Sequence, residues 1–78
     1  MSYNPKKARA LLGEAVTHGQ QNNTQKAIQL CKKAVNFDPG LFDALNYLGF
    51  LLLNAERFTE AINVLKKAAK INRSDIHV

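Results

Sequence analysis

At 78 residues and 8.7 kDa, the chain has room for one compact domain with a small core, and little room for a dry catalytic pocket. Its 46% apolar and 22% charged residues are those of a globular domain rather than a disordered segment, and a single cysteine excludes an internal disulfide. A formal charge of +5 suits weak attraction to anionic surfaces, and no run of about 18 apolar residues is present to span a bilayer.

The opening segment Met1-Ser2-Tyr3-Asn4-Pro5-Lys6-Lys7 lacks the apolar core of a secretory signal, and with the lone Cys31 it predicts a cytoplasmic, reducing location. A trimmed piece of a longer or exported chain would read the same way. Asn4 as an N-cap and Pro5 in the first turn then open a first helix, along which Leu11, Leu12, Ala15 and Val16 recur at helical spacing. The polar stretch Gln20-Gln21-Asn22-Asn23 breaks the pattern, and Thr24 is expected to cap a second helix. Ala27, Ile28, Cys31, Ala34 and Val35 form its apolar face, while Lys26, Gln29 and Lys33 face water. Asp38-Pro39 repeats the Asn4-Pro5 device, which predicts a third helix starting there and running from Leu41 to Asn54. After a short turn at Glu56-Arg57, a fourth helix is expected over Thr59 to Ile71, with Ala61, Ile62, Leu65, Ala68 and Ala69 as its buried stripe. No stretch alternates with period two. The fold class is therefore all-α, four helices in two antiparallel pairs.

Self-comparison strengthens this reading. A shift of 34 residues aligns Pro5 with Pro39, Ala10 with Ala44, Leu11 with Leu45, Ala27 with Ala61, Ile28 with Ile62, Lys32 and Lys33 with Lys66 and Lys67, and Ala34 with Ala68. Eight identities in the 37 pairs from Pro5 to Leu41 exceed the two or three expected by chance, so two tandem copies are the simplest account. Ala27, Ala34, Ala61, Ala68 and Gly49 sit where helix axes must approach closely, and a larger side chain there would overpack the contact.

These residues resemble the tetratricopeptide repeat family. The second copy carries Leu45, Leu48-Gly49, Leu52, Ala61, Leu65 and Ala68, with Arg73 where proline is usual. The first carries Leu11, Ala15, His18, Ala27, Cys31, Ala34 and Pro39. Its Glu14 stands where the family prefers leucine, a departure that suits a terminal repeat with no preceding neighbour. Aliphatic residues replace most of the family's aromatics, though Phe58 keeps one. The resemblance implies an α–α superhelix, a helical-hairpin repeat array, with a lead-in over 1–7, repeats over 8–41 and 42–75, and a tail at 76–78.

It also implies a site. Members use their first helices to line a concave groove for a peptide or partner helix. Carried onto this chain, the groove positions are Arg9, Leu12, Val16 and Gln20, then Asp43, Asn46, Phe50, Leu53 and Asn54. Leu12, Val16, Phe50 and Leu53 make its centre apolar, which suits an amphipathic helix whose anchors recur every three or four residues. The alternative is a stripe of plain core, covered by a missing repeat or by a second copy of the chain. The chaperone-tail clamp known in one subfamily is excluded: its positions hold Leu12, Val16 and Tyr47, none of which binds a carboxylate as Lys or Asn does. Asn46 lies beside a clamp position and not on it.

Two rival readings are weaker. Lys32, Lys33, Lys66, Lys67, Lys70 and Arg73 recur on the second helices and would suit nucleic acid or an anionic surface, but no interleaved aromatics accompany them for base stacking. An enzyme would need a phosphate loop, a metal-ligand spacing or a nucleophile–base pair. Cys31 falls on a buried stripe, His18 and His77 have no evident partner, and Glu14 and Glu60 belong to different copies. The expectation is a non-catalytic protein–protein interaction scaffold with no cofactor and no membrane span. Homo-oligomers are expected as well. A missing third repeat would leave Leu45, Leu48, Leu52, Ile62 and Leu65 partly open, to be closed by stacking or by hairpin exchange through Asp38-Pro39-Gly40.

Overall fold

A computed structural model describes residues 2–76 of the chain, with side chains described over 2–71. The described residues form four helices: α1 (Pro5–Gln20), α2 (Thr24–Phe37), α3 (Phe42–Asn54) and α4 (Phe58–Ile76). Among these residues there is no strand. The helices pair as α1 with α2 and α3 with α4, and α3 also packs against α2 and touches α1.

The connections within the two hairpins share one mechanism. Asn22 adopts φ 64° and Glu56 φ 60°, left-handed conformations at positions 34 residues apart. In the first, the Asn23 N–H donates to the His18 carbonyl and the Asn22 N–H to that of Gly19; in the second, Arg57 donates to Leu52 and Glu56 to Leu53. These are paired closures of the Schellman type, which satisfy the last carbonyls of α1 and α3 and reverse the chain within two residues. Closure at Asn23 leaves that residue at the N-cap of α2, with its carbonyl accepting from the Ala27 N–H. Thr24 is therefore the first helical residue and not the cap expected from sequence.

The start of α1 matches expectation: Pro5 sits in the first turn and the Asn4 side chain accepts from the Lys7 N–H at 3.1 Å. The Asp38-Pro39 expectation fails. Asp38 ends α2, and its carboxylate accepts from the Gly40 N–H at 3.2 Å while the Leu41 N–H donates to its carbonyl at 3.1 Å. The side chain thus holds a turn around Pro39 rather than the first turn of a helix, and α3 begins at Phe42. The second departure is at the other end. Sequence reading stops α4 at Ile71, whereas it continues to Ile76. Arg73 stands where the family usually has proline, so no missing N–H or ring clash ends the helix there. The side chains of Arg73 and Asp75 lie outside those described, as does all of His77.

A main cluster holds the hairpins together: Ala15, Ala27, Ile28, Leu30 and Cys31 from the first, Leu48, Leu51, Leu52 and Ala61 from the second. A smaller one unites Ala8, Ala34 and Ala44, one residue from each of α1, α2 and α3. The smaller cluster is all alanine, and alanines also mark close helix approaches in the larger one. A Cβ added to Gly49 would lie 2.6 Å from Leu65 Cγ, so α3 and α4 meet at that glycine. The expectation that Leu45, Leu48 and Leu52 stay open is wrong: they are only 2%, 4% and 0% exposed, and Leu48 and Leu52 lie in the main cluster with residues of both hairpins. Ile62 and Leu65 are partly open, as expected where no following repeat stacks, whereas Ala69, expected in the buried stripe, is exposed, because no further described helix covers that side of α4.

Candidate functional site

The nine expected groove residues lie on α1 and α3, the first helices of the two hairpins. Leu12 and Val16 are half-buried, and Leu12 packs against both core clusters. Arg9, Gln20, Asp43, Asn46, Phe50, Leu53 and Asn54 are exposed or partly so. Phe50 and Leu53 are the informative pair: large apolar side chains 53% and 41% exposed on a folded domain. Phe50 is held in place by Tyr47, whose ring stacks on it at a centroid separation of 5.9 Å.

Tyr47 is a residue that sequence reasoning placed only as a failed clamp position. It is half-buried on α3, and its hydroxyl lies over Gly19 of α1, where any Cβ would collide with it. Burial first, and then electrostatic interaction with Cys31, raises the Tyr47 phenol above its ordinary value. Tyr47 thus bridges the first helices of both hairpins while its ring supports Phe50. The signal available in the sequence was Gly19 itself, a glycine inside a helix at a position where the second copy has Leu53.

The chemically reactive side chains are spread out. Cys31 is fully buried, and desolvation pushes its thiol up to about 12, which suppresses the thiolate. The His18 ring is 3.5 Å from the Asn23 amide. Glu14 is exposed. Glu60 accepts from Arg57 at 2.7 and 2.9 Å and pairs with Lys32 at 3.6 Å, and its carboxyl is held below the usual range first by the Arg57 hydrogen bonds. Lys32, Lys33, Lys66, Lys67 and Lys70 are exposed on the second helices. Near the start of α1 a depression of about 290 Å³ is lined by Lys7, Leu11, Lys33 and Phe37, with the Lys7 ammonium 5.0 Å from the Phe37 ring centre. Among the described residues, no group of three or more His, Cys, Asp or Glu gathers as metal ligands.

Comparison with known families decides the class: residues 20–78 match the family model described as Tetratricopeptide repeat. The chain belongs to the tetratricopeptide repeat family. Repeats of this family are an interaction fold that generally mediates protein–protein contact, and the four helices packed as hairpins agree with it. No curated protein gives a significant match to this family member. Within it, no described helix is long and apolar enough to cross a membrane.

Proposed function

We propose that this tetratricopeptide repeat chain is a non-catalytic adaptor that holds an amphipathic helix or peptide of a partner protein on the first-helix face. The groove would be built from Arg9, Leu12, Val16 and Gln20 of α1 and Asp43, Asn46, Phe50, Leu53 and Asn54 of α3, with 8–41 and 42–75 as its repeat units. The observation that carries this reading is the exposed Phe50, presented on the stacked ring of Tyr47. A rigid aromatic anchor with half its surface open is the kind of residue that supplies binding energy at interfaces. Gln20, Asn46 and Asn54 are neutral and polar, and Arg9 and Asp43 carry one charge of each sign, which fits a ligand helix without net charge.

A cytoplasmic location belongs to the same proposal, supported by the one cysteine, which is free and buried. Weak nucleic-acid or anionic-surface binding is the rival function, favoured only by the exposed lysines of α2 and α4. Self-association, expected from the sequence, is a rival use of the α4 face, where Phe58 and Ile62 are 55% and 52% exposed.

The test is fluorescence anisotropy with a neutral amphipathic helical peptide against wild type, Phe50→Asp and Leu53→Asp. Saturable binding that survives high salt, and that Phe50→Asp abolishes while circular dichroism stays helical, supports the groove. Equal affinity in the variants contradicts it. A steep fall in affinity with salt, unaffected by Phe50→Asp, supports the rival.

A further inference from the structure

The first hairpin shows what covers the outer face of a second helix in this chain. Ile28 and Cys31 of α2 share a cluster with Leu48 and Leu51 of α3, and Ala44 of the same helix packs on Ala34. Beside that stripe, Lys32 is met by the Glu60 carboxylate of the next hairpin at 3.6 Å. So the apolar helix α3 closes the face, while the carboxylate that answers the lysine at its edge comes from α4.

A shift of 34 residues turns Ile28, Cys31 and Lys32 into Ile62, Leu65 and Lys66. Among the described residues, no helix covers this face. Phe58 and Ile62, one turn apart, are 55% and 52% exposed, Leu65 is half-buried and Ala69 is exposed. Their spacing of four, three and four residues makes one stripe along α4. Lys66, Lys67 and Lys70 surround Ala69 along an open depression of about 400 Å³.

We propose that the outer face of α4 docks an amphipathic helix of a partner protein whose apolar stripe is bordered by carboxylates. The apolar side would take the place that α3 takes on α2, and the carboxylates would complement the charge of the exposed Lys66 and Lys67 beside it. This surface lies apart from the groove on α1 and α3, so neither reading depends on the other.

A second copy of the chain fits the face less well. The counterpart of α3 is α1, and at the positions of Ala44, Tyr47, Leu48 and Leu51 it offers Ala10, Gly13, Glu14 and Thr17. End-to-end stacking would therefore bury the Glu14 carboxylate where α3 places a leucine. Pairing α4 with α4 would bring together two basic helices on chains that each carry +5.

Two synthetic helical peptides with the same apolar stripe, Ala, Leu and Leu at the spacing of Ala44, Leu48 and Leu51, test the proposal. One carries Glu along the edges and the other Lys. The Glu peptide is expected to bind the whole chain and the Lys peptide to bind more weakly, by about twofold to fivefold per contacting charge. Ile62→Ser should weaken the Glu peptide by about fivefold to tenfold, and Gln29→Ala, at an exposed position on α2, should leave it unchanged. Lys66→Glu should weaken the Glu peptide and strengthen the Lys peptide. Equal binding of both peptides, or indifference to Ile62→Ser, would overturn the proposal. So would sedimentation showing dimers that need Ile62 and persist in excess Glu peptide, since the occupant would then be a second copy.

Discussion

Ile28 and Ile62 are the same residue at the same place in two successive hairpins, yet Ile28 is 2% exposed and Ile62 52% exposed. The difference lies in the neighbouring helix: α3 packs on α2, and no described helix packs on the matching side of α4. Burial at a repeat position is thus a property of the neighbour as much as of the hairpin itself.

Truncating the two isoleucines should therefore give unequal costs. Ile28→Ala leaves a cavity in the main cluster and should destabilise by about 2–4 kcal/mol. Ile62→Ala should cost below about 1 kcal/mol, since half its surface is already in water. Urea denaturation of both variants measures this. Equal shifts in midpoint would mean that the two hairpins are covered alike.

Two helix glycines should respond in opposite senses to alanine. Around Gly13 nothing lies within 4 Å of an added Cβ, so Gly13→Ala gains helix propensity and should stabilise by about 0.5–1 kcal/mol. At Gly49 the new methyl meets Leu65 Cγ at 2.6 Å, and overpacking of about 1–3 kcal/mol should outweigh the propensity gain. A thermal melt separates them. A stabilised Gly49→Ala would show that α3 and α4 are not as close as described.

The buried thiol sets the behaviour at high pH. Cys31 has an ordinary value of 9.0, which the unfolded chain is taken to share, and a folded value of about 12. Below both, the thiol is protonated in either state and costs nothing. Between them the unfolded chain releases its proton while the folded chain does not, so stability falls as pH rises through that window. Stability of the wild type should therefore decline more steeply from about pH 9 to 12 than that of Cys31→Ala. Parallel profiles would place the thiol in contact with water.

Much of the fold was legible because helix pairing here rests on local signals that repeat. Ala27 with Ala61 and Ala34 with Ala68 mark the close approaches, and all four are at most 2% exposed. What was not legible depends on competition between neighbouring groups. Asp38 can accept a backbone N–H as Asn4 does, but its carboxylate turns to Gly40 and delays α3 to Phe42. Thr24 loses the cap to Asn23 because left-handed Asn22 spends one residue fewer on the turn. For the candidate site, helical spacing placed Phe50 and Leu53 on one helix face, but it did not identify Tyr47 as the ring that stacks on Phe50. That contact needs Gly19 of α1 to make room for the hydroxyl, and a relationship between two helices is not visible in the period of either one.

The most direct test of the adaptor reading is a nuclear magnetic resonance titration of the isotopically labelled chain with the neutral amphipathic peptide. The account predicts shift changes gathered on Leu12, Val16, Asn46, Tyr47, Phe50 and Leu53, with Lys32, Lys33 and Lys67 unmoved. Changes centred on the lysines of α2 and α4, with Phe50 unmoved, would contradict it.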